Sequence, residues 1–531
     1  MESNPASAAR ANSYDVMPYE GRFVAASHPD RMAAMATVFG MTPPPVDDCR
    51  VLELGCADGG NLLAIAQTLP RANLVGIDFS PRQILDGQAA AQRLGARNVE
   101  LQARSIMEVG RDLGQFDYIV CHGVYSWVPA DEQAKILEIC ATNLVPGGVA
   151  YVSYNTYPGW HLREVVRDAL RFHIGGLPKE TDSARLIAEA RGLIDFLAAS
   201  ATPADGLHAI VLRHEAEFVR RARDAYLFHE HLEAENHPVY YHQFAAAAES
   251  HGLVPFAPAR FDLAETGLPN EARQTLARLG TDPVRREQYL DFLLNRTFRQ
   301  TLLVHATAQP QPAPFPGRLD RLRLTALARP EADDVDVRAE RPMGFVSIYG
   351  DRLTVGQPLL KAAVVALYER WPRSTTMDQL GQESVARLGW DPSSFADQRE
   401  AFAALLIQGF LSNLISLHTV DPPIAVDPPA RPRATPLARE QAASGSRVGN
   451  LRHGQAMLDD IDRMLLPLLD GSRDLPALID EVASRVADGT LQVHHEAQLV
   501  RDLKLARSLL AEPIQRSLWK IAGEALLLAD D

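Results

Sequence analysis

Residues Val51–Gly60 read Val-Leu-Glu-Leu-Gly-Cys-Ala-Asp-Gly-Gly and can build a ligand site out of main chain and carboxylates. A short apolar run ends at Gly55, Gly59 follows, and Asn61-Leu-Leu-Ala-Ile-Ala opens a helical pattern. Strand, tight glycine turn and helix N-terminus are the start of a nucleotide-type α/β site. Glycine is needed because a side chain would keep a ligand off the backbone. A second apolar run ends at Asp78, and an acid roughly 20 residues on is where such sites hold ribose hydroxyls. The turn Gly55-Cys56-Ala57-Asp58-Gly59 puts an anion where a dinucleotide would lay its pyrophosphate. Asp58 would repel a phosphate. It suits a cationic ligand such as S-adenosylmethionine (SAM), with its ammonium and sulfonium. On this reading Glu53 supports the ammonium, directly or through the turn, and Asp78 takes both ribose hydroxyls.

Three more groups stand where strands end. Ile77-Asp78-Phe79-Ser80 closes the second run, and Arg104-Ser105-Ile106 follows the third. Resemblance to SAM-dependent methyltransferases, which commonly hold the adenine amino group with an acid here, would give Ser105 that contact as a weaker acceptor; otherwise it is a plain loop serine. After the fourth run comes Cys121-His122-Gly123-Val124-Tyr125-Ser126-Trp127-Val128-Pro129. His122 and Gly123 are expected beside SAM, and Tyr125 and Trp127 along the methyl-acceptor channel. Tyr154-Asn155-Thr156-Tyr157-Pro158-Gly159-Trp160 follows the fifth run, and Tyr154 and Asn155 are expected at the same edge. Aromatic faces hold an alkylammonium stem, and desolvation lowers an amine's pKa. Positioning can then carry most of the rate without a strong base. Apolar packing alone also explains such aromatics, and His122 also fits a structural role.

The elements needed to position these groups are a parallel, doubly wound sheet. Strands are predicted at 51–54, 73–77, 99–102, 116–121 and 149–154, with helices over 81–94 and 131–143. The predicted organisation is an N-terminal cap (1–45), a Rossmann-like SAM-binding core (46–160) and a helical middle domain (161–307). A Pro-rich linker (308–318), a winged-helix-like domain (319–420), a Pro/Arg-rich linker (421–440) and a helical C-terminal region (441–531) follow. A sixth strand is expected to start at Gly252, and one helix to run over 285–305. The cofactor landmarks precede residue 130, so 318–531 is expected to be dispensable for SAM binding and needed for turnover.

At 531 residues, with 46% hydrophobic and 23% charged side chains, this is the composition of a globular protein of several domains. No apolar run reaches about 18 residues, the length that suggests a membrane span, and no secretory leader is recognised at the N-terminus. Cys49, Cys56, Cys121 and Cys140 form no C-x-x-C pair, which disfavours zinc or a disulfide framework and suits a reducing cytoplasm. The net charge of −14 argues against nucleic acid. So do the seven basic and seven acidic residues of 341–420, which leave no basic stripe. Phe228-His229-Glu230-His231-Leu232-Glu233 lacks the i, i+4 histidines of a zinc helix. It is read as a polar hinge against the SAM domain, with no metal.

Glu53-x-Gly55-x-x-x-Gly59 followed by Ile77-Asp78-Phe79-Ser80 resembles motifs I and II of class I SAM-dependent methyltransferases. Further stretches narrow the resemblance to bacterial methyltransferases with a methyltransferase regulatory domain. They are Tyr14-Asp-Val-Met-Pro-Tyr19, Ser27-His-Pro-Asp-Arg31, His122–Pro129, Tyr154–Trp160, Leu227–Glu233, Asn236–Tyr241 and Glu287–Leu303. The best-known members are rickettsial protein-lysine methyltransferases of outer-membrane proteins. The resemblance implies a SAM-dependent transferase with helical middle and C-terminal domains, and leaves the substrate open. Ala57, where many such enzymes have glycine, departs from the pattern. Three readings stand: a protein- or peptide-lysine N-methyltransferase, a small-molecule or lipid-precursor methyltransferase, and an interaction protein with a non-catalytic SAM fold. A homo-oligomer is compatible with all three.

Overall fold

The computed structural model describes residues 13, 15–18, 21, 23–178, 180–263, 267–495 and 498–530. Tyr14 and Tyr19 of the first family stretch lie outside the described residues. The central sheet has seven strands in the order β3-β2-β1-β4-β5-β7-β6. They are β1 (Arg50–Leu54), β2 (Asn73–Asp78), β3 (Val99–Ala103), β4 (Phe116–Cys121), β5 (Leu144–Asn155), β6 (Leu253–Pro258) and β7 (Phe298–His305). β1 to β5 pair in parallel, and β7 runs antiparallel to both β5 and β6. β1 is buried from Val51 to Leu54, as expected of a strand covered on both faces. The chain winds outward from β1 to β3 and resumes at β4 on the other side of β1. That switch point opens a crevice beyond the carboxyl ends of β1 and β4.

Local signals were sufficient for most of these elements. The helix Pro81–Leu94 starts at Ser80, whose hydroxyl accepts from the Gln83 N–H, has proline at its first turn, and stops at Gly95 in the left-handed region. The predicted helix over 285–305 is corrected. The helix Pro283–Leu294 stops at Asn295, φ 49°, and Phe298–His305 is the strand β7. The run Leu302-Leu303-Val304 is short and fully apolar, a pattern that suits a buried strand as well as a helix. The core and middle domains therefore share one sheet, because β6 and β7 come from beyond residue 250.

Neither predicted linker hangs free. The Gln311 and Phe315 N–H groups donate to the carbonyls of Phe39 and Val38, and the Arg318 guanidinium to that of Gly40. Residues 424–434 bridge to Leu527, Leu528 and Asp470. Beyond the first of these segments, the hairpin β10–β11 (Met343–Ser347, Arg352–Val355) precedes helices Pro358–Arg370, Met377–Leu388 and Ser394–Leu411. β12 (Thr375–Thr376) and β13 (Ile415–His418) flank β8 (Arg323–Ala326), and β9 (Ala328–Pro330) pairs with β10. These elements share one hydrophobic core with the cap helix Pro29–Val38 and the outer face of the central sheet. Residues 319–417 are thus packed onto the cap, whereas 425–527 have a hydrophobic core of their own. Among the described residues no helix is long and apolar enough to cross a membrane.

Asp30 makes the join. It is 1% exposed. Its carboxylate accepts from His418 Nδ1 at 2.8 Å, the Thr419 N–H and hydroxyl at 2.6 and 2.7 Å, and the Val420 N–H at 3.2 Å. His28 caps the same helix: its Nδ1 accepts from the Asp30 N–H, and its ring stacks on His453 with centroids 3.3 Å apart. Burial holds His28, His418 and His453 below their ordinary value, although Asp30 works the other way, so all three are neutral. The unfolded chain binds protons at these histidines near pH 6.5, whereas folded His28 waits until about pH 3. Stability is therefore fully present above pH 6.5 and falls on acidification, by up to about 1.4 kcal/mol per pH unit for each histidine. We expect the urea midpoint to drop from pH 7 to pH 5. His453→Asn, at a φ of 58° that asparagine tolerates, should reduce the pH dependence by about one proton. An unchanged slope would place the acid sensitivity elsewhere.

Candidate active site

The crevice beyond β1 and β4 is a cavity of about 490 Å³. Its inner end is built by the glycine turn. The Gly55 and Cys56 N–H groups both donate to the Ile77 carbonyl, folding the end of β1 onto β2. Gly55 has φ 68°, and a Cβ there would run into Val124 of the loop after β4. Ala57 is itself in the left-handed region at φ 52°, which accounts for the glycine that related turns carry there.

Two acids line this end. Asp78 is buried and accepts from the Ala57 N–H at 3.0 Å and the Ser80 N–H at 2.9 Å. The Phe79 N–H also favours the charged Asp78 carboxylate, whose roughly four lone-pair positions are not all filled by these three donors. Burial nevertheless raises its carboxyl above the ordinary value. Glu53 accepts from Asn61 Nδ2 at 3.0 Å through Oε1, while its buried Oε2 has no partner. Burial pushes the Glu53 carboxyl up to about 8, helped by the charges of Asp58 and Asp78. Two desolvated acids, one with an orphaned oxygen, fit a ligand that brings a cation and hydroxyl donors. Cys56, Phe79, Ser105, Ile106 and His122 line the same space. Ser105 caps the turn Ile106–Glu108, its hydroxyl accepting from the Met107 N–H at 3.2 Å. His122 Nδ1 lies 2.9 Å from the Tyr151 hydroxyl and 3.2 Å from the Ser153 hydroxyl, and burial lowers its pKa to about 4. A neutral ring there adds no repulsion toward a cation.

Four sequence expectations are corrected. Asp58 does not line the cavity: it sits behind Gly21, and its carboxylate accepts from the Gly60 N–H at 3.0 Å, at a helix N-terminus where an anion is favoured. Gly59, φ 73°, shapes the turn against Leu101 and does not line the cavity. Tyr125 and Tyr154 are also absent from the lining. Tyr154 stacks on Phe244 with centroids 4.1 Å apart and shares a hydrogen bond with Thr301, and Tyr125 meets Phe244 edge to face. Their spacing matched a channel, but the helix Tyr241–Ser250 covers them. Trp127 and Asn155 do line the cavity.

The outer end holds residues the motif reading left without a site role. Trp127 meets Trp160 edge to face at 6.1 Å. Val128, Arg163, Tyr226, His229, Glu230 and Phe298 complete this end. The stretch Asn236–Tyr240 ties its loops together. Asn155 Nδ2 donates to Asn236 Oδ1 at 3.0 Å, the His237 N–H to the Ser126 carbonyl, and the Val239 N–H to the Asn155 carbonyl. The cap closes the inner end. Asn61 donates to the Ser27 hydroxyl and accepts from the Val24 N–H, and Gly21 and Val24 line the cavity. Asn61, directly after the glycine pair, was the available signal for this contact.

Comparison with known proteins agrees with this architecture. A model described as "Methyltransferase domain" matches residues 52–150, and one described as "Predicted methyltransferase regulatory domain" matches 223–305. A model described as "PKMT, C-terminal winged helix domain" matches 430–526, beyond the 319–420 stretch read as winged-helix-like from sequence. An uncharacterized Rickettsia prowazekii protein is 31% identical over 97% of this chain and 94% of its own length. A second protein of that organism is 36% identical over 45% of this chain and 94% of its own length. The structure of PKMT2 from Rickettsia typhi in complex with AdoHcy matches with TM-score 0.81 and 28% identity, covering 96% of this chain and all of that one.

The orphaned acid yields a test of the site's electrostatics. Glu53 carries no penalty below about pH 4.5, where it is protonated folded or unfolded. The penalty grows as the unfolded chain ionises first, and is complete above about pH 8. Glu53→Gln keeps the acceptor for Asn61 and removes the charge. It should raise the melting temperature of the ligand-free protein at pH 8, by an effect on the order of a few kcal/mol, and change it little at pH 4.5. Equal effects at both pH values would mean that the carboxyl is not desolvated.

Proposed function

The chain belongs to the SAM-dependent methyltransferases that carry a methyltransferase regulatory domain and a PKMT-type C-terminal winged helix, and from that premise we propose that it N-methylates lysine side chains of protein or peptide by direct in-line transfer. The observation that carries the reading is one continuous cavity, with Glu53 and Asp78 at one end and the Trp127–Trp160 corner at the other. Similarity over nearly the whole chain to PKMT2, an abbreviation read as protein-lysine methyltransferase, supports it.

SAM supplies an electrophilic methyl group on a sulfonium when bound. In the proposed arrangement Asp78 holds the ribose hydroxyls and Glu53 the ammonium, satisfying its orphaned oxygen. Phe79 and Ile106 flank the adenine, with Ser105 at its amino edge. Gly55 and Cys56 let the ligand lie on the main chain, and neutral His122 borders the sulfonium. Trp127, Trp160 and Asn155 guide the acceptor. Their apolar faces strip water from an amine and lower its pKa, and alignment for attack supplies a large share of the rate.

Two measurements check this. Asp78→Ala should weaken SAM binding by about 2 kcal/mol, roughly 30-fold, the cost of leaving charge-assisted bonds unmade. An unchanged dissociation constant in calorimetry would remove that assignment. Purified protein incubated with methyl-labelled SAM and host lysate should label protein bands whose acid hydrolysate contains methyl-lysine. Label confined to solvent-extractable material would replace lysine with a small-molecule acceptor.

A further inference from the structure

Glu230 is a carboxylate at the acceptor end to which the mechanism above assigns no role. It sits on the π-helical turn Phe228–Leu232, and its side chain lines the cavity next to Trp160, Tyr226 and His229. A π turn disturbs the regular ladder of main-chain bonds and is often found at functional sites. Here Arg167, 3% exposed, secures it. Its guanidinium donates to the Glu230 carbonyl at 3.1 Å, and to the carbonyls of Glu233, Ala234 and Glu235. The same guanidinium lies 5.7 Å from the centre of the Trp127 ring. His229 Nε2 bonds the Met17 carbonyl, and Glu233 accepts from the Ser13 hydroxyl. The main chain of Glu230 is thereby fixed to the Trp127–Trp160 corner by neighbours that are themselves engaged. Its carboxylate has no hydrogen-bond or ion-pair partner among the described residues.

We propose that Glu230 is the catalytic carboxylate of the acceptor site, receiving the incoming side-chain ammonium and taking the proton that must leave before methyl transfer. This rests on the lysine reading. An ammonium has no lone pair and cannot attack. One N–H proton passes to the Glu230 carboxylate, and the freed nitrogen pair forms the bond to the methyl carbon. The sulfur–methyl bond breaks with its pair kept on sulfur. The methylated ammonium leaves, and Glu230 gives its proton to water. Burial pushes the Glu230 carboxyl up to about 7, against Arg163 and Arg167, which pull it down. A carboxyl in that range can exchange a proton at neutral pH. The charged groups around it are Arg163 and Arg167 on the helix Trp160–Gly175, Glu132 across the cavity, and His229 and Glu233 on its own turn. Arg163 lies over the Trp160 and Phe218 rings at 5.7 and 5.2 Å.

The test uses full-length protein, methyl-labelled SAM, and poly-L-lysine and lysate protein as acceptors, with methyl-lysine counted in the hydrolysate. For wild type, kcat/KM should fall with acid below about pH 7, as Glu230 becomes protonated. Glu230→Gln should leave the SAM dissociation constant within about twofold, lower kcat/KM by about 100-fold at about pH 7 and remove the break near pH 7, leaving a steady rise toward the free amine's pKa of about 10. Glu230→Asp, with the charge on a shorter arm, should keep the limb at an intermediate rate. A Gln variant with the wild-type rate and limb overturns the proposal while leaving the lysine reading intact. So does a Gln variant that loses SAM affinity tenfold or more, since the group would then belong to the cofactor end. If wild type labels an alcohol or a carbon acid and no amine, the lysine reading fails and takes this proposal with it.

Discussion

One buried carboxylate joins the two halves of this molecule. Asp30 stands in the first turn of the cap helix and accepts four hydrogen bonds from His418, Thr419 and Val420, nearly 400 positions along the chain. A buried charge is tolerated when every lone pair is answered, and removing a partner is expensive, on the order of 3–5 kcal/mol. The segment before that helix depends on it. Val24 and Ser27 bond Asn61, Asn61 bonds Glu53, and Gly21 and Val24 wall the cofactor end of the cavity. The Asp30 cluster is thus linked through the main chain of His28 and Ser27, and then through Asn61, to the acid with the orphaned oxygen. The cavity's inner wall is held by residues far outside the methyltransferase core.

The cavity itself concentrates unfavourable charge. Glu53 and Asp78 are both desolvated and raised above their ordinary values, and Glu53 leaves one oxygen without a donor. Such an arrangement lowers the stability of the ligand-free protein and is relieved by a ligand carrying a positive charge and hydroxyl groups. Asp58 plays the opposite part. It settles at a helix N-terminus, where its charge is favourable, and keeps the turn in place.

The regulatory segment builds part of the sheet and part of the cavity. Its strands β6 and β7 complete the central sheet, and Phe298, at the start of β7, reaches the cavity. Asn236, His237 and Val239 lace the loops after β4 and β5 to one another. Arg167 collects the carbonyls at the end of the π turn, from which Glu230 and His229 line the cavity. The outer end of the cavity is lined by residues from both regions.

Much of this could be read along the chain. The glycine turn, the acids at 53 and 78 and the β/α alternation are local, since strand and helix periods and turn residues act over a few positions. Glu53, Gly55, Cys56, Asp78, Phe79, Ser105, Ile106, His122, Trp127 and Asn155 accordingly meet in one cavity. What local pattern could not decide was direction and partner. Phe298–His305 became a strand because an antiparallel slot beside β5 was open to it, and nothing within the segment encodes that slot. Tyr125 and Tyr154 differ from Trp127 and Asn155 only in which face a later helix covers. Asp58 could point either way until the cap arrived. The linkers were docked by carbonyls of the cap and by main-chain bonds to the last residues of the chain. Spacing fixes which residues share a strand end. Packing between segments hundreds of residues apart decides which of them see the ligand, because burial depends on the neighbour that arrives and not on the residue itself.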